Sequence, residues 1–171
     1  MKTRGFTLIE LLVVMVILAL LMTFGSKGLR AARINAKKAQ ARIEMKSIET
    51  GVMAYFSKYG KLPSAAFDAD RPFDLEASDN RDVIGVLMAQ EEDEPLNPAG
   101  VVFLEEQTAG SVRYTDPWGH DYIISLDTDY DGLLTAPDGT TELRRKVGVV
   151  SIGLFETMNR NNTNDYIYSW Q

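Results

Sequence analysis

From Phe6 to Phe24 the chain runs for nineteen residues with a single charge, that of Glu10. A helix needs about 20 apolar residues to cross the hydrocarbon of a bilayer, so the run predicts membrane insertion. A secretory signal that is cut away has a shorter apolar region, about 7 to 15 residues, with small residues after it. Here the order is reversed. Lys2, Thr3 and Arg4 lead into Gly5, and the flexible position lies before the run. Cleavage there would leave the whole span on the mature chain. The acid is the costly part, because an ionisable group within a span is rare and tends to be paired and functional. The plainer alternative is that Glu10, one turn from the start of the run, lies near the headgroups and is hydrated. The flanking charge adds a conflict: more Lys and Arg follow the run than precede it, which by the positive-inside tendency would keep the bulk of the chain in the cytoplasm.

Beyond the run, Gly25 to Gly28 weaken a helix, since each interior glycine costs about 1 kcal/mol relative to alanine. This allows either a bend or a tolerated glycine pair. Leu29, Ala32, Ala36, Ala39, Ile43, then Met45, Ile48, Val52, Tyr55 and Tyr59 recur at steps of three and four with one slip, the pattern of an amphipathic helix. Arg33, Lys37, Arg42, Lys46 and Glu49 fall on its opposite face, and Ile43 to Tyr59 is expected to pack on a sheet. Gly60 just past the last periodic residue and Pro63 beyond it mark the stop. A helix from Phe6 to this point would measure roughly 80 Å, too long for one compact domain. Half must protrude, and the natural partner for a protruding apolar half is the same half of other copies.

The rest of the chain reads as one folded part. Hydrophobic residues make up 45% of the 171 and charged ones 25%, the balance of a globular protein. A net charge of -6 argues against nucleic-acid binding, which needs a clustered basic surface. The absence of cysteine excludes disulfides and thiolate metal sites. Residues 64–112 are loop-rich and acidic, usually a solvated surface, with a short helix expected at Val83 to Gln90. From residue 113 the pattern turns to strands: a turn at Asp116-Pro117-Trp118-Gly119, a strand at Tyr122 to Leu126, Leu133-Leu134-Thr135 after a second turn, and a strand at Val147 to Ile152. Trp118 and Trp170 are expected to pack the sheet onto the helix. His120 has no serine or cysteine triad around it, and a turn role fits it.

Asp127-Thr128-Asp129-Tyr130-Asp131-Gly132 has the D-x-D-x-D-G spacing of a calcium loop, in which alternating carboxylates converge on a hard cation and the glycine allows a sharp turn. Asp138, at the twelfth position, is shorter than the usual bidentate Glu, and the flanking elements are strands rather than helices. An Asp-Gly hairpin turn whose acids face water is the competing reading. A strand ending in D-x-D also resembles the nucleophile motif of haloacid-dehalogenase phosphatases. Those enzymes want Thr or Val where Asp131 stands, with a lysine and further acids in an α/β fold, so no enzyme is expected here.

The stretch K-T-R-G-F-T-L-I-E-L-L-V-V-M-V-I-L, Lys2 to Leu18, resembles the class III signal of type IV pilins and type II secretion pseudopilins. The helix stop around Gly60 to Pro63, D-P-W-G-x-x-Y from Asp116, and D-Y-I-Y-S-W from Asp165 are similar to the major pseudopilin of type II secretion. The resemblance implies an α+β pilin fold, a long N-terminal helix packed on a small antiparallel sheet. It divides the chain into a leader at 1–5, a transmembrane and assembly helix at 6–28, its amphipathic continuation at 29–60, and a periplasmic part at 61–171 with a variable loop region at 64–112 and a β-region at 113–171. It also implies cleavage after Gly5 by a prepilin peptidase, N-methylation of Phe6, and pairing of Glu10 with the N-terminal amine of a neighbouring subunit. The leader motif outweighs the flanking charge and places the C-terminal part in the periplasm, with one pass through the bacterial inner membrane. The implied partners are copies of the chain itself, minor pseudopilins, the peptidase and the inner-membrane assembly platform. The implied function is a type II secretion pseudopilus subunit; a surface pilin for adhesion, motility or DNA uptake, or a membrane-anchored calcium-binding module, are the alternatives. Major pseudopilins bind calcium in the loop before the final Trp, where the usual acids are mostly absent from this chain and Asn164 and Asp165 are the candidate donors that remain. By that comparison calcium is either lost or moved to Asp127, Asp129 and Asp131.

Overall fold

The computed structural model describes residues 5–64, 80–90, 96–136, 140–155 and 166–170, with the backbone alone at 23–28. Its elements are helices α1 (Leu8–Tyr59) and α2 (Arg81–Met88) and strands β1 (Ile123–Leu126), β2 (Leu134–Thr135), β3 (Glu142–Leu143), β4 (Val147–Ser151) and β5 (Ile167–Tyr168). The chain divides into two compact units, Met1–Lys37 and Lys38–Gln171.

Helix α1 takes 52 residues without a break. The glycines at 25 and 28 are therefore tolerated inside a continuous helix. The Gly60 amide donates to the Phe56 carbonyl at 2.8 Å, and Gly60 sits at φ +70°, the left-handed cap that a residue without Cβ adopts cheaply. Within the first unit the described part of α1 carries large apolar side chains on every side, all open to solvent.

In the second unit α1 buries Ala41, Met45, Ile48, Val52 and Tyr55 completely, at steps of four and three that form one stripe. This corrects the expected stripe. Ile43, expected to pack on the sheet, is 68% exposed, because the register set by Met45 and Ile48 runs back through Ala41, on the near side of the slip. Glu49, expected on the polar face, is buried.

The sheet that receives this stripe is antiparallel, in the order β1-β4-β5. Ile123 pairs with Val150, Leu126 with Val147, and Val150 with Tyr168. Ile124, Leu126, Val147, Val149 and Ile167 join the α1 stripe in one core, so the architecture is α+β, a long helix on a small antiparallel sheet. β2 and β3 form a separate two-stranded ribbon. Helix α2 buries all of Val83 to Met88 in the same core. Gly51 lets this layer close on α1, since a Cβ there would stand 3.1 Å from the Phe103 carbonyl oxygen. That carbonyl cannot easily retreat, because the amides of Phe103 and Leu104 both donate to the Leu87 carbonyl.

Trp118 packs on the main core, as expected. Trp170 packs in another cluster instead. It joins Val150, Ile152 and Tyr166 there, stacked 4.8 Å from Tyr168. The cause is strand alternation: Val149 faces the helix, so Val150 and the side chains paired with it lie on the other face.

Candidate functional site

Gly5 is exposed, and a Cβ built on it would meet nothing within 4 Å. The fold therefore gives no steric reason for a glycine here. Phe6 beside it is 71% exposed.

The next residues start the helix. Thr7 stands immediately before α1, and its backbone amide and hydroxyl both donate to Glu10 Oε2, at 2.9 and 2.7 Å. The Glu10 amide donates back to Thr7 Oγ1 at 3.3 Å. The Leu11 amide donates to the Thr7 carbonyl, the first bond of the helical ladder. This is a capping box, in which two amides without helical partners are satisfied reciprocally. Its T-x-x-E spacing stands in the sequence as Thr7-Leu8-Ile9-Glu10, and it was the signal that would have found Thr7. Glu10 is thus explained within one chain as a helix cap, placed where the positive end of the helix dipole favours an anion.

Past the box, every large apolar side chain from Leu8 to Met22 is at least 45% exposed. Among the described residues no helix is long and apolar enough to cross a membrane, the described apolar side chains of this stretch ending at Met22.

The three acids of the D-x-D-x-D-G loop come together. Asp127 follows β1 and is fully buried, Asp129 and Asp131 are exposed, and ligand atoms of all three lie within 4.8 Å of one another. Asp138, Asn164 and Asp165 lie outside the described residues, as do most of the acids of 64–112. His120 lies at the end of the Asp116–Gly119 turn. There Asp116 Oδ1 accepts from the amides of Trp118 and His120, and its other oxygen accepts from the Ser151 hydroxyl at 2.6 Å. This acid holds a turn against β4.

Glu49 is a tie that sequence reasoning missed. It accepts from Lys46 Nζ at 2.9 Å, Arg145 Nη1 at 2.9 Å and the Ser169 hydroxyl at 2.6 Å. The Ser169 oxygen in turn accepts from the Val149 amide, so one buried carboxylate joins α1, β4 and the end of the chain.

Residues 1–26 match the family described as the prokaryotic N-terminal methylation motif. No curated protein and no solved structure matches the chain. The match supports the resemblance to type IV pilin-like proteins, and a prepilin-type signal of this kind implies processing by a prepilin peptidase and pilus-type assembly. It ends before Asp116–Gly119 and Asp165–Trp170, whose resemblance to a major pseudopilin is carried by their wording alone.

Proposed function

We propose that this chain, with its prepilin-type signal cut after Gly5 and Phe6 methylated, is a structural subunit of a type II secretion pseudopilus and drives export mechanically rather than by catalysis. The observation that carries the reading is the exposed apolar surface of Leu8 to Met22, which covers all sides of the helix. A helix apolar all round is stable only when buried, in lipid or among other apolar helices. Lipid of the inner membrane is the resting environment in this account, and sister helices are the environment in the filament, with the C-terminal part in the periplasm throughout.

Partners follow from the same reading: the peptidase, the assembly platform, further copies and minor pseudopilins. A surface pilus would use the same leader and the same helix. The choice between the two systems rests on the D-P-W-G and D-Y-I-Y-S-W wording and on the missing cysteines. Deleting the gene tests it. Loss of exported enzymes with surface fibres intact is the expected result; loss of fibres with export intact would replace the secretion reading with a pilus, and retention of both would remove the filament role.

A further inference from the structure

Four acids are buried among the described residues: Glu49, Asp116, Asp121 and Asp127. Three of them are answered. Glu49 and Asp116 have the partners given above, and Asp121 takes two bonds from the Arg113 guanidinium, at 3.2 and 2.8 Å. Asp127 is 0% exposed, and neither of its carboxylate oxygens has a hydrogen-bond partner among the described residues. A buried carboxylate without a partner is strongly disfavoured, so this one calls for a ligand. Its place is fixed by the sheet, because the Asp127 amide donates to the Lys146 carbonyl at 3.0 Å.

What lies around it is more negative charge. Oxygens of Asp129 and Asp131 converge with those of Asp127 inside 4.8 Å, and three carboxylates so close repel one another unless a cation sits between them. Lys146 is near but does not fill that role. Its Nζ lies 4.8 Å from the centre of the Phe56 ring and 5.6 Å from that of Tyr130. Oxygens bound to one calcium at 2.3–2.6 Å stand at most about 5 Å apart, whereas magnesium at 2.0–2.1 Å draws its ligands inside about 4.2 Å. All-oxygen donors select hard cations.

We propose that Asp127, Asp129 and Asp131 bind one calcium ion, with Asp127 as the buried ligand and the two exposed acids closing the site from the solvent side. The site stands independently of the filament reading. It would also fasten the loop to α1, because Tyr130, between two of the ligands, packs 6.3 Å from the Phe56 ring and its hydroxyl accepts from the Leu62 amide at 2.9 Å.

Tyr130 supplies the readout. The full-length chain in detergent, stripped with a chelator, is titrated with calcium by calorimetry and with terbium under tyrosine excitation. One ion per chain, sensitised terbium emission displaced by calcium, and magnesium at least roughly tenfold weaker are expected. Calcium at about a hundredfold excess over Kd should raise Tm by about 5 °C or more. Asp129→Ala, at an exposed position, should weaken calcium by roughly tenfold or more. Asp127→Asn should abolish the calcium-dependent rise in Tm while the ion-free protein melts no lower than wild type. A flat titration without terbium emission would overturn the site, as would unchanged affinity in Asp129→Ala, which would place the ion elsewhere.

Discussion

Glu10 shows how one side chain serves two readings that a single substitution can separate. In the isolated chain it completes the box with Thr7; in the filament account it also meets the amine of a neighbouring Phe6. Glutamine can close a capping box as glutamate does, but it carries no charge. Glu10→Gln should therefore keep the helix start and still assemble poorly, while Thr7→Ala should cost about 1 kcal/mol of helix stability and leave assembly in place. Imaging of sheared filaments from both variants checks this, and normal fibres from Glu10→Gln would reduce the acid to a cap. Gly5→Glu makes a complementary case. The open space around Gly5 means the side chain fits the folded protein, so the expected retention of the leader, read by the mass of the purified chain, would report on the peptidase and not on folding. The glycine and the acid were legible in the sequence because charge is conspicuous in an apolar run. Thr7 was equally visible as T-x-x-E but is chemically quiet. The spacing of the Asp127 loop could be read too, but the burial of its first carboxylate could not, since burial depends on what α1 and β4 bring against it.

At the scale of elements, the sequence reports long periodic segments and loses short ones. α1 stands out because its pattern persists over many turns, and its stop is spelled by Gly60 and Pro63. β3 and β5 have two residues each, too few to show any period; they exist because β2 and β4 offer them backbone partners. The same limit explains Ile43 and Glu49. A slip in periodicity leaves two possible stripes, and only the sheet chooses the one through Ala41. Glu49 then falls inside, where Arg145, about a hundred residues on, neutralises it and the Ser169 hydroxyl donates to it. Replacing it should be costly. Glu49→Ala is expected to destabilise the second unit by about 3 kcal/mol, the lower end for a broken buried pair because Arg145 keeps some contact with water. Chemical denaturation of the full-length chain measures it, and a loss below about 0.5 kcal/mol would show that the tie is ornamental.

For the whole molecule, the helix and sheet are also coupled through titration. The Tyr122 hydroxyl donates to Glu44 at 2.5 Å, and burial first, then that carboxylate, raise its pKa above 10.0. Tyr114 is raised by burial and then by Glu44 and Glu105. With folded values above the unfolded one, the unfolded chain releases these protons first. The stability they give is intact below about pH 10 and is lost as pH rises towards the folded values, at about 1.4 kcal/mol per pH unit for each tyrosine. Tyr122→Phe should flatten that alkaline slope, by about half a proton at pH 10 and approaching one proton at pH 11, measured as stability against pH between 9 and 11. These contacts lie within the second unit, whereas the described apolar side chains of the first unit are turned outward. In the proposed function the N-terminal helix is accordingly an assembly element. The direct measurement is electron microscopy of filaments from cells overproducing the chain, with N-terminal analysis of the subunits. The account predicts fibres built of chains that begin at a methylated Phe6. A correctly trimmed chain that stays single in detergent and forms no fibre in cells would contradict it.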